Sequence, residues 1–409
     1  MFVYKQNQLF CENVPVEEIA TSVGTPVYIY SKNQIIKNLK DYDRAFNSVP
    51  HLICYAIKAN TNKTILKTIF NCGAGADITS GGELYRSINA GAKPEKIVFA
   101  GLGKTEEEIR YAIKQKILIF NVESINELEK IDKIAYKIGK KVKIAIRINP
   151  NIDPHTHKYI TTGKSENKFG IPIEDAINVF ASAKKYKNIL VSGIHCHIGS
   201  QITLLKPFLL MAQKISEIVK QLEKKKIILE YIDIGGGLGI KYKDEKPPTP
   251  EQLAKTVLPI LRHLRKKLIL EPGRYIVGNA GILVTKIIYC KKGKQKNFLV
   301  VDAGMNDLIR PTLYGAYHEI IPVKKKNTAN LTVDVVGPIC ESGDYLGKNR
   351  ILPWNSEGNF LTVMCAGAYG FTMSSNYNSR PRAAEVIVDK DNWQVIKTRQ
   401  NYKDLIRGE

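Results

Sequence analysis

Short apolar runs punctuate the first two thirds of the chain, and the segments between them carry apolar residues at helical spacing. The runs are LICYAI (52–57), ADIT (76–79), KIVFA (96–100), ILIFN (117–121), VKIAIRIN (142–149), VSGIHCHI (191–198), YIDI (231–234) and LILE (268–271). Segments such as NKTILKTIFNCG, SGGELYRSINAG and TEEEIRYAIKQK separate them and read as helices. The first two finish at a glycine, the residue favoured just past a helix C-terminus. Eight such alternations predict an α/β fold, a (β/α)8 TIM-type barrel over residues 28–272, with a doubly wound sheet as the alternative.

After Glu271 the texture changes. ILVTKIIYC, NFLVVDA, LTVDVVG, NFLTVMCAGAYG and AAEVIVD are rich in β-branched residues and are separated by turn-like stretches such as KKGKQKN and SEGN. No long helical pattern intervenes. Residues 273–409 are therefore expected to form an antiparallel β-domain, joined by the strand-like opening residues 1–27.

In a barrel of this kind the chemistry gathers at the C-terminal ends of the strands. Lys58 stands there, where the first apolar run stops. Burial disfavours an ammonium, and a neutral amine is a nucleophile toward aldehydes, so Lys58 is a candidate anchor for a pyridoxal cofactor. A lysine snorkelling from a strand end into water would look the same in sequence. Asp77 lies in the second run, either as a contact to a cofactor or its neighbours or as a helix-start cap. His195 and His197 lie two apart near the end of the sixth run. No third and fourth ligand stand out for a metal. An imidazole stacked on a cofactor ring fits better, with His197 the stronger candidate; buried core histidines are the plain alternative.

Gly235, Gly236 and Gly237 follow the seventh run, where barrels commonly bind phosphate. A dinucleotide fingerprint would need glycine at position 240, which is Ile240. EPGR follows the eighth run, beside the first in a closed barrel. There Glu271 can keep a pyridine nitrogen protonated, and Arg274 can serve a phosphate or carboxylate. In the β-rich region GPICESGD places Cys340 beside Glu341, a loop thiol able to act as a general acid. RPTLYGAYH offers Arg310 and Tyr314, and CAGAYG offers Tyr369.

Charge narrows the choice of partner. The net charge of +22 over 409 residues admits a nucleic-acid binder. The basic runs are short, scattered and free of interleaved aromatics, so a solvated basic surface is expected instead, with no nucleic-acid partner. Seven widely spaced cysteines without a CxxC pair argue against a disulfide framework and a zinc ribbon. The first residues lack the apolar core of a signal peptide, and no apolar stretch is long enough to span a membrane. A cytoplasmic protein is expected.

YAIKAN, TSGGEL, ENKFGI, HCHIGSQ, GGGLGI, EPGR, RPTLYGAYH, GPICESGD, AGAYGFTMSSNYNSRPR and AEVIVD, in this order, resemble the diaminopimelate decarboxylase family. Those are fold-type III pyridoxal-phosphate enzymes, related to ornithine and arginine decarboxylases and to alanine racemase. The resemblance runs from about residue 25 to about residue 390 and implies conversion of meso-2,6-diaminopimelate to L-lysine and CO2. It implies Lys58 as the cofactor-bearing lysine and His197 as the ring-stacking histidine. Ser200 with Gly235, Gly236 and Gly237 would cradle the phosphate, and Glu271 would partner the ring nitrogen. Arg274, Arg310, Tyr314, Glu341 and Tyr369 would be substrate or cofactor ligands, and Cys340 the proton donor. The family also implies a homodimer in which the Cys340 loop reaches the partner's site. Departures from the family pattern fall at His155, Thr156 and His157, and at Ala383, where a proline is usual; none touches the implied site.

Overall fold

All eight apolar runs of the first two thirds form strands that pair in parallel and close on themselves. The computed structural model describes residues 1–154, 157, 162–163, 168–326, 329–354 and 356–409. The barrel strands are His51–Ala56, Gly75–Ile78, Ile97–Phe99, Ile119–Val122, Val142–Asn149, Ile189–His195, Tyr231–Asp233 and Lys267–Leu270. Each pairs with the next, and the eighth returns to the first with Leu268 opposite His51 and Leu270 opposite Ile53. The barrel is thus the predicted one, and the doubly wound alternative is excluded by closure.

Several barrel helices start at side-chain caps. Asn62 and Ser80 accept from the backbone N–H groups of Thr64 and Glu83. Thr105 and Glu108 form a reciprocal capping box on helix Glu106–Gln115. Gly73 and Gly91, just past the first two helices, adopt φ of 94° and 91°, a conformation that disfavours side chains. Inside the barrel, Leu52, Cys54, Val98, Ile119, Ala145 and Ile269 pack as one buried cluster.

The chain divides into two compact units, one of Met1–Asn38, Lys241–Glu245 and Ile276–Glu409, the other of Leu39–Ile240 and Lys246–Tyr275. The first is a mostly antiparallel β-unit. Its main sheet runs in the order Tyr345–Pro353, Asn330–Val336, Asn297–Val301, Gly281–Lys292, Val27–Ser31, Ala384–Asp389, Asn392–Lys397. Two pairings in it are parallel, Asn297–Val301 with Asn330–Val336 and Val27–Ser31 with Ala384–Asp389. Val27–Ser31 is buried along its whole length at the middle of this sheet. One face of the unit packs Val27, Ile29, Ile282, Val284, Val386 and Val388 against Leu9, Val16 and Ile19. No helix among the described residues is long and apolar enough to cross a membrane.

Candidate active site

The first barrel strand stops at Ala56, and Lys58 sits in a single 3-10 turn, Ile57–Ala59, closed by the Asn60 N–H donating to the Ile57 carbonyl. This turn lifts the lysine onto the rim, where its side chain retains 41% exposure. Its Nζ donates to Asp77 Oδ2 at 2.9 Å. Asp77 is not a helix cap, because Ser80 takes that role. Burial, reinforced by the Glu271 charge, pushes the Asp77 carboxyl up to about 7, against the pull of Lys58. Its Oδ1 is buried with no hydrogen-bond partner among the described residues.

Glu271 lies deeper. Its Oε2 is 3.3 Å from His195 Nε2, and its Oε1 accepts from Asn121 Nδ2 at 3.3 Å. The same amide donates to Asp233 Oδ2, also at 3.3 Å. Burial and then the Glu271 charge hold the Asp233 carboxyl well above its usual range. Burial would raise Glu271 too, but His195, Lys58 and the hydrogen bond from Asp233 outweigh it, so Glu271 titrates well below the usual range. Glu271 is thus the more acidic of these two coupled carboxyls. His195, Asp233 and Glu271 place ligand atoms within 4.8 Å of one another. The fold therefore brings Asp233, which the sequence reading did not single out, beside His195 and Glu271.

His197 lies just beyond the sixth strand and is partly buried. Its Nδ1 accepts from the Gly236 N–H at 3.2 Å. Burial, and then the charges of Arg147 and Lys58, hold it well below its usual pKa, so the ring is neutral. The glycine run packs tightly around it. Gly235 has φ 63°, and a Cβ there would stand 2.7 Å from His197 Nδ1. A Cβ on Gly236 would collide with the Glu271 carbonyl oxygen, and one on Gly237 would lie 2.5 Å from the Gly199 oxygen. The Gly235 N–H donates to Asp233 Oδ1 at 2.9 Å, and the Gly236 N–H is taken by His197. All three glycines therefore shape the rim sterically, and the Gly237 N–H has no hydrogen-bond partner among the described residues. Arg274 Nη2 donates to Ser200 Oγ at 3.0 Å.

The remaining candidates lie in the β-unit. Arg310 and Tyr314 open and close the short helix Arg310–Tyr314. Cys340 and Glu341 occupy the loop between strands Asn330–Val336 and Tyr345–Pro353. Thr312 Oγ1 donates to the Gly343 carbonyl at 2.7 Å, which ties that loop to the helix. Asp344 accepts from the Met305 and Ile339 N–H groups, each at 2.6 Å. The Cys340 N–H donates to Asn378 Oδ1 at 2.9 Å, and the Tyr377 hydroxyl donates to Glu341 Oε2 at 2.9 Å. The Cys340 side chain is exposed. Tyr369 sits on a separate turn of this unit, with φ 56°.

Sequence reasoning missed Asp233 and Arg147. Asp233 is the lone charge in YIDI, and Arg147 stands near the end of VKIAIRIN, where apolar residues flank it; a charge inside an apolar run was the available signal. Arg147 Nη1 donates to Glu123 Oε1 at 2.7 Å, both buried. The departures at His155 and Thr156, and Glu166 and Asn167 of ENKFGI, lie outside the described residues.

Pyridoxal phosphate needs an amine, an anion for its ring nitrogen, a flat neutral neighbour and donors for its phosphate. The barrel rim offers each: Lys58, the ionised Glu271, the neutral His197, and Gly237, Ser200 and Arg274. The buried, unpartnered Asp77 Oδ1 and a cradle that any Cβ would fill agree with a rim built around a ligand.

Residues 32–278 match the model for "Pyridoxal-dependent decarboxylase, pyridoxal binding domain". The diaminopimelate decarboxylase of Aquifex aeolicus is 49% identical over 404 residues, covering 98% of this chain and 96% of that protein. A crystal structure of diaminopimelate decarboxylase from Helicobacter pylori complexed with L-lysine is 42% identical, with a TM-score of 0.93 over 96% of this chain and 98% of that one. The enzyme from M. jannaschii in co-complex with L-lysine is 38% identical, with a TM-score of 0.95 over 100% and 97%. Neutral His197, ionised Glu271 and the Lys58–Asp77 pair thus occur on a chain that matches these enzymes end to end, and this chain belongs to the diaminopimelate decarboxylase family.

Proposed function

We propose that this protein decarboxylates meso-2,6-diaminopimelate at its D-centre, giving L-lysine and CO2 and completing lysine biosynthesis, with pyridoxal phosphate as cofactor. The observation that carries this reading is the rim itself: the Lys58–Asp77 pair, the ionised Glu271 and the neutral His197 surround one glycine-lined cradle. When bound, pyridoxal phosphate supplies an electron sink for the pair left behind as CO2 departs.

The chain's residues divide the work. Lys58 would hold the cofactor through Nζ. Glu271 keeps a proton on the ring nitrogen, and Asn121 and Asp233 hold Glu271 in place. His197 presents a flat uncharged face. Gly235 and Gly236 let the backbone approach closely, while Gly237, Ser200 and Arg274 bind the phosphate. Cys340 returns a proton from Sγ to the carbon that lost CO2. Arg310, with Arg274, meets the distal carboxylate. Glu341 meets the distal ammonium, and Tyr314 and Tyr369 donate hydroxyls to substrate or cofactor.

Substrate choice follows from charge. Ornithine ends in an ammonium alone, whereas diaminopimelate also ends in a carboxylate. A site with arginines as well as Glu341 suits the second, at roughly 1.5–3 kcal/mol per charge-assisted hydrogen bond. CO2 release from diaminopimelate, carboxynorspermidine, ornithine, arginine and lysine tests this. Diaminopimelate should lead, and faster release from any of the others would overturn the assignment.

We further propose a homodimer whose sites combine Lys58 of one chain with Cys340 of the other. The exposed Cys340 on a well-braced loop supports this. Mixing Lys58→Ala with Cys340→Ala chains should restore part of the activity. No recovery after demonstrated subunit exchange would mean that each site belongs to one chain. A cytoplasmic location fits the seven free cysteines.

A further inference from the structure

Arg310 is buried at 4% exposure, an unusual place for a guanidinium. Its Nη1 lies 2.9 Å from His318 Nε2, and His318 Nδ1 lies 2.8 Å from the Met364 carbonyl oxygen. These two contacts fix the imidazole. Arginine only donates, so Nε2 must accept; a carbonyl only accepts, so Nδ1 must carry the hydrogen. His318 is therefore a neutral ring spanning Met364 and Arg310, and it is fully buried.

Both ends of this bridge are anchored. Ile320 pairs with Val363 across strands Ile320–Pro322 and Phe360–Val363, and the Met364 N–H donates to the Glu319 carbonyl at 2.8 Å. The carbonyl that orients His318 thus belongs to a sheet pairing. On another side, the Tyr242 ring meets His318 edge-on at 5.1 Å and 75°, and Arg310 Cζ lies 4.7 Å over the same ring. Tyr242 is itself held by its N–H, which donates to Glu245 Oε1 at 2.9 Å. A guanidinium stacked on an aromatic face with one N–H committed has its plane defined before any ligand arrives.

We propose that His318 and Tyr242 are positioning residues that fix the plane of Arg310 for the carboxylate retained in the product. This deepens the reading of Arg310 as the ligand of the distal carboxylate and rests on it. A planar fork meets a carboxylate through two parallel hydrogen bonds, so rotation of the guanidinium weakens that contact. Chemistry at the D-centre does not depend on it. His318 and Tyr242 thereby set substrate choice without touching the substrate.

The test uses holoenzyme and two substrates with the same reacting centre, meso-diaminopimelate and D-lysine, which lacks the distal carboxylate. His318→Leu should raise the KM for diaminopimelate by about tenfold or more, the loss expected for one hydrogen bond to a charged group. It should leave kcat within about twofold and kcat/KM for D-lysine unchanged. His318→Gln, which keeps an acceptor for Arg310, should recover most of the loss. Tyr242→Leu should act in the same direction and guards against misfolding of the His318 variants. By calorimetry, L-lysine should bind more weakly to His318→Leu and cadaverine equally well. The proposal is overturned if His318→Leu lowers kcat for both substrates alike, or if His318→Gln is no better than His318→Leu. Arg310→Leu separates the two ideas. If it leaves the preference for diaminopimelate over D-lysine intact, the reading of Arg310 fails; if it abolishes that preference while both positioning variants keep it, only the positioning role fails.

Discussion

The barrel rim and the Cys340 loop bear candidate residues in opposite states. On the rim each charged or polar side chain is already held: Lys58 by Asp77, Glu271 by Asn121 with His195 close by, Arg274 by its bond to Ser200. Several titrate far from their ordinary values because water is excluded and charges are close. On the loop, the bracing is of the backbone. Asp344 and Asn378 hold N–H groups, while the Cys340 thiol stands in solvent and Glu341 is held by one exposed tyrosine. Groups that tune a cofactor act through a fixed, dry field and must be in place beforehand. A proton donor that works in one step needs a defined anchor and access to the site. The states of the two regions fit the roles proposed for them.

Substitutions on the two regions should fail in different ways. Lys58→Ala carries the largest expected effect: activity down on the order of a thousandfold or more, with loss of a visible cofactor band that borohydride can fix to the wild-type chain. Activity within tenfold of wild type would remove Lys58 as the anchor. Cys340→Ala comes next, with kcat down roughly a hundredfold or more, in the range for loss of a general acid. Its cofactor spectrum should match wild type, and its stability should change by no more than about 0.5 kcal/mol, as for exposed sites. A Cys340→Ala chain that loses the cofactor band would place the thiol among the tuning groups and erase the contrast.

The barrel was readable because a closed parallel sheet buries its strands on both faces, so each announces itself as an apolar run. The β-unit was less so. Five of its strands stood out through β-branched residues, but Tyr345–Pro353 did not. Its centre, Gly347, Lys348, Asn349 and Arg350, looks like a turn, and Asn349 adopts φ 51°. The strand lies at the sheet edge, where only one side must be paired and polar residues cost little. On the rim, Lys58, His197, Glu271 and the glycine run were visible because they end apolar runs or break them. The contacts of Asp233 with Asn121 and of Arg147 with Glu123 were hidden, since contacts between different strands leave no mark in local spacing. The neutral state of His197 likewise follows only from its three-dimensional neighbours.

The smallest expected effects come from two buried aspartates, one in each unit, that titrate near the same value beside different neighbours. Asp77 and Asp307 are each pushed up to about 7, chiefly by burial. An unfolded aspartate titrates near 4. Between about pH 4 and 7 the folded chain keeps a proton that the unfolded chain has lost, so stability falls as pH rises through this window and then levels. Asp307 has one backbone donor, the Gly304 N–H at 3.1 Å, and an Oδ1 without a hydrogen-bond partner among the described residues. Asp307→Asn should therefore remove most of its share of the fall between pH 5 and 8, on the order of 2 kcal/mol or more, read by urea unfolding at the two pH values. Asp77→Asn should not give this gain at pH 8, because it also takes away the carboxylate 2.9 Å from Lys58 Nζ. It should instead weaken cofactor binding, measured by fluorescence titration. If Asp77→Asn stabilised the protein at pH 8 as much as Asp307→Asn and bound cofactor normally, Asp77 would be an ordinary buried acid. If Asp307→Asn were as pH-sensitive as wild type, burial would not be what holds its proton. The contrast between the two rests on a single difference, the lysine ammonium beside one carboxylate and a backbone amide beside the other.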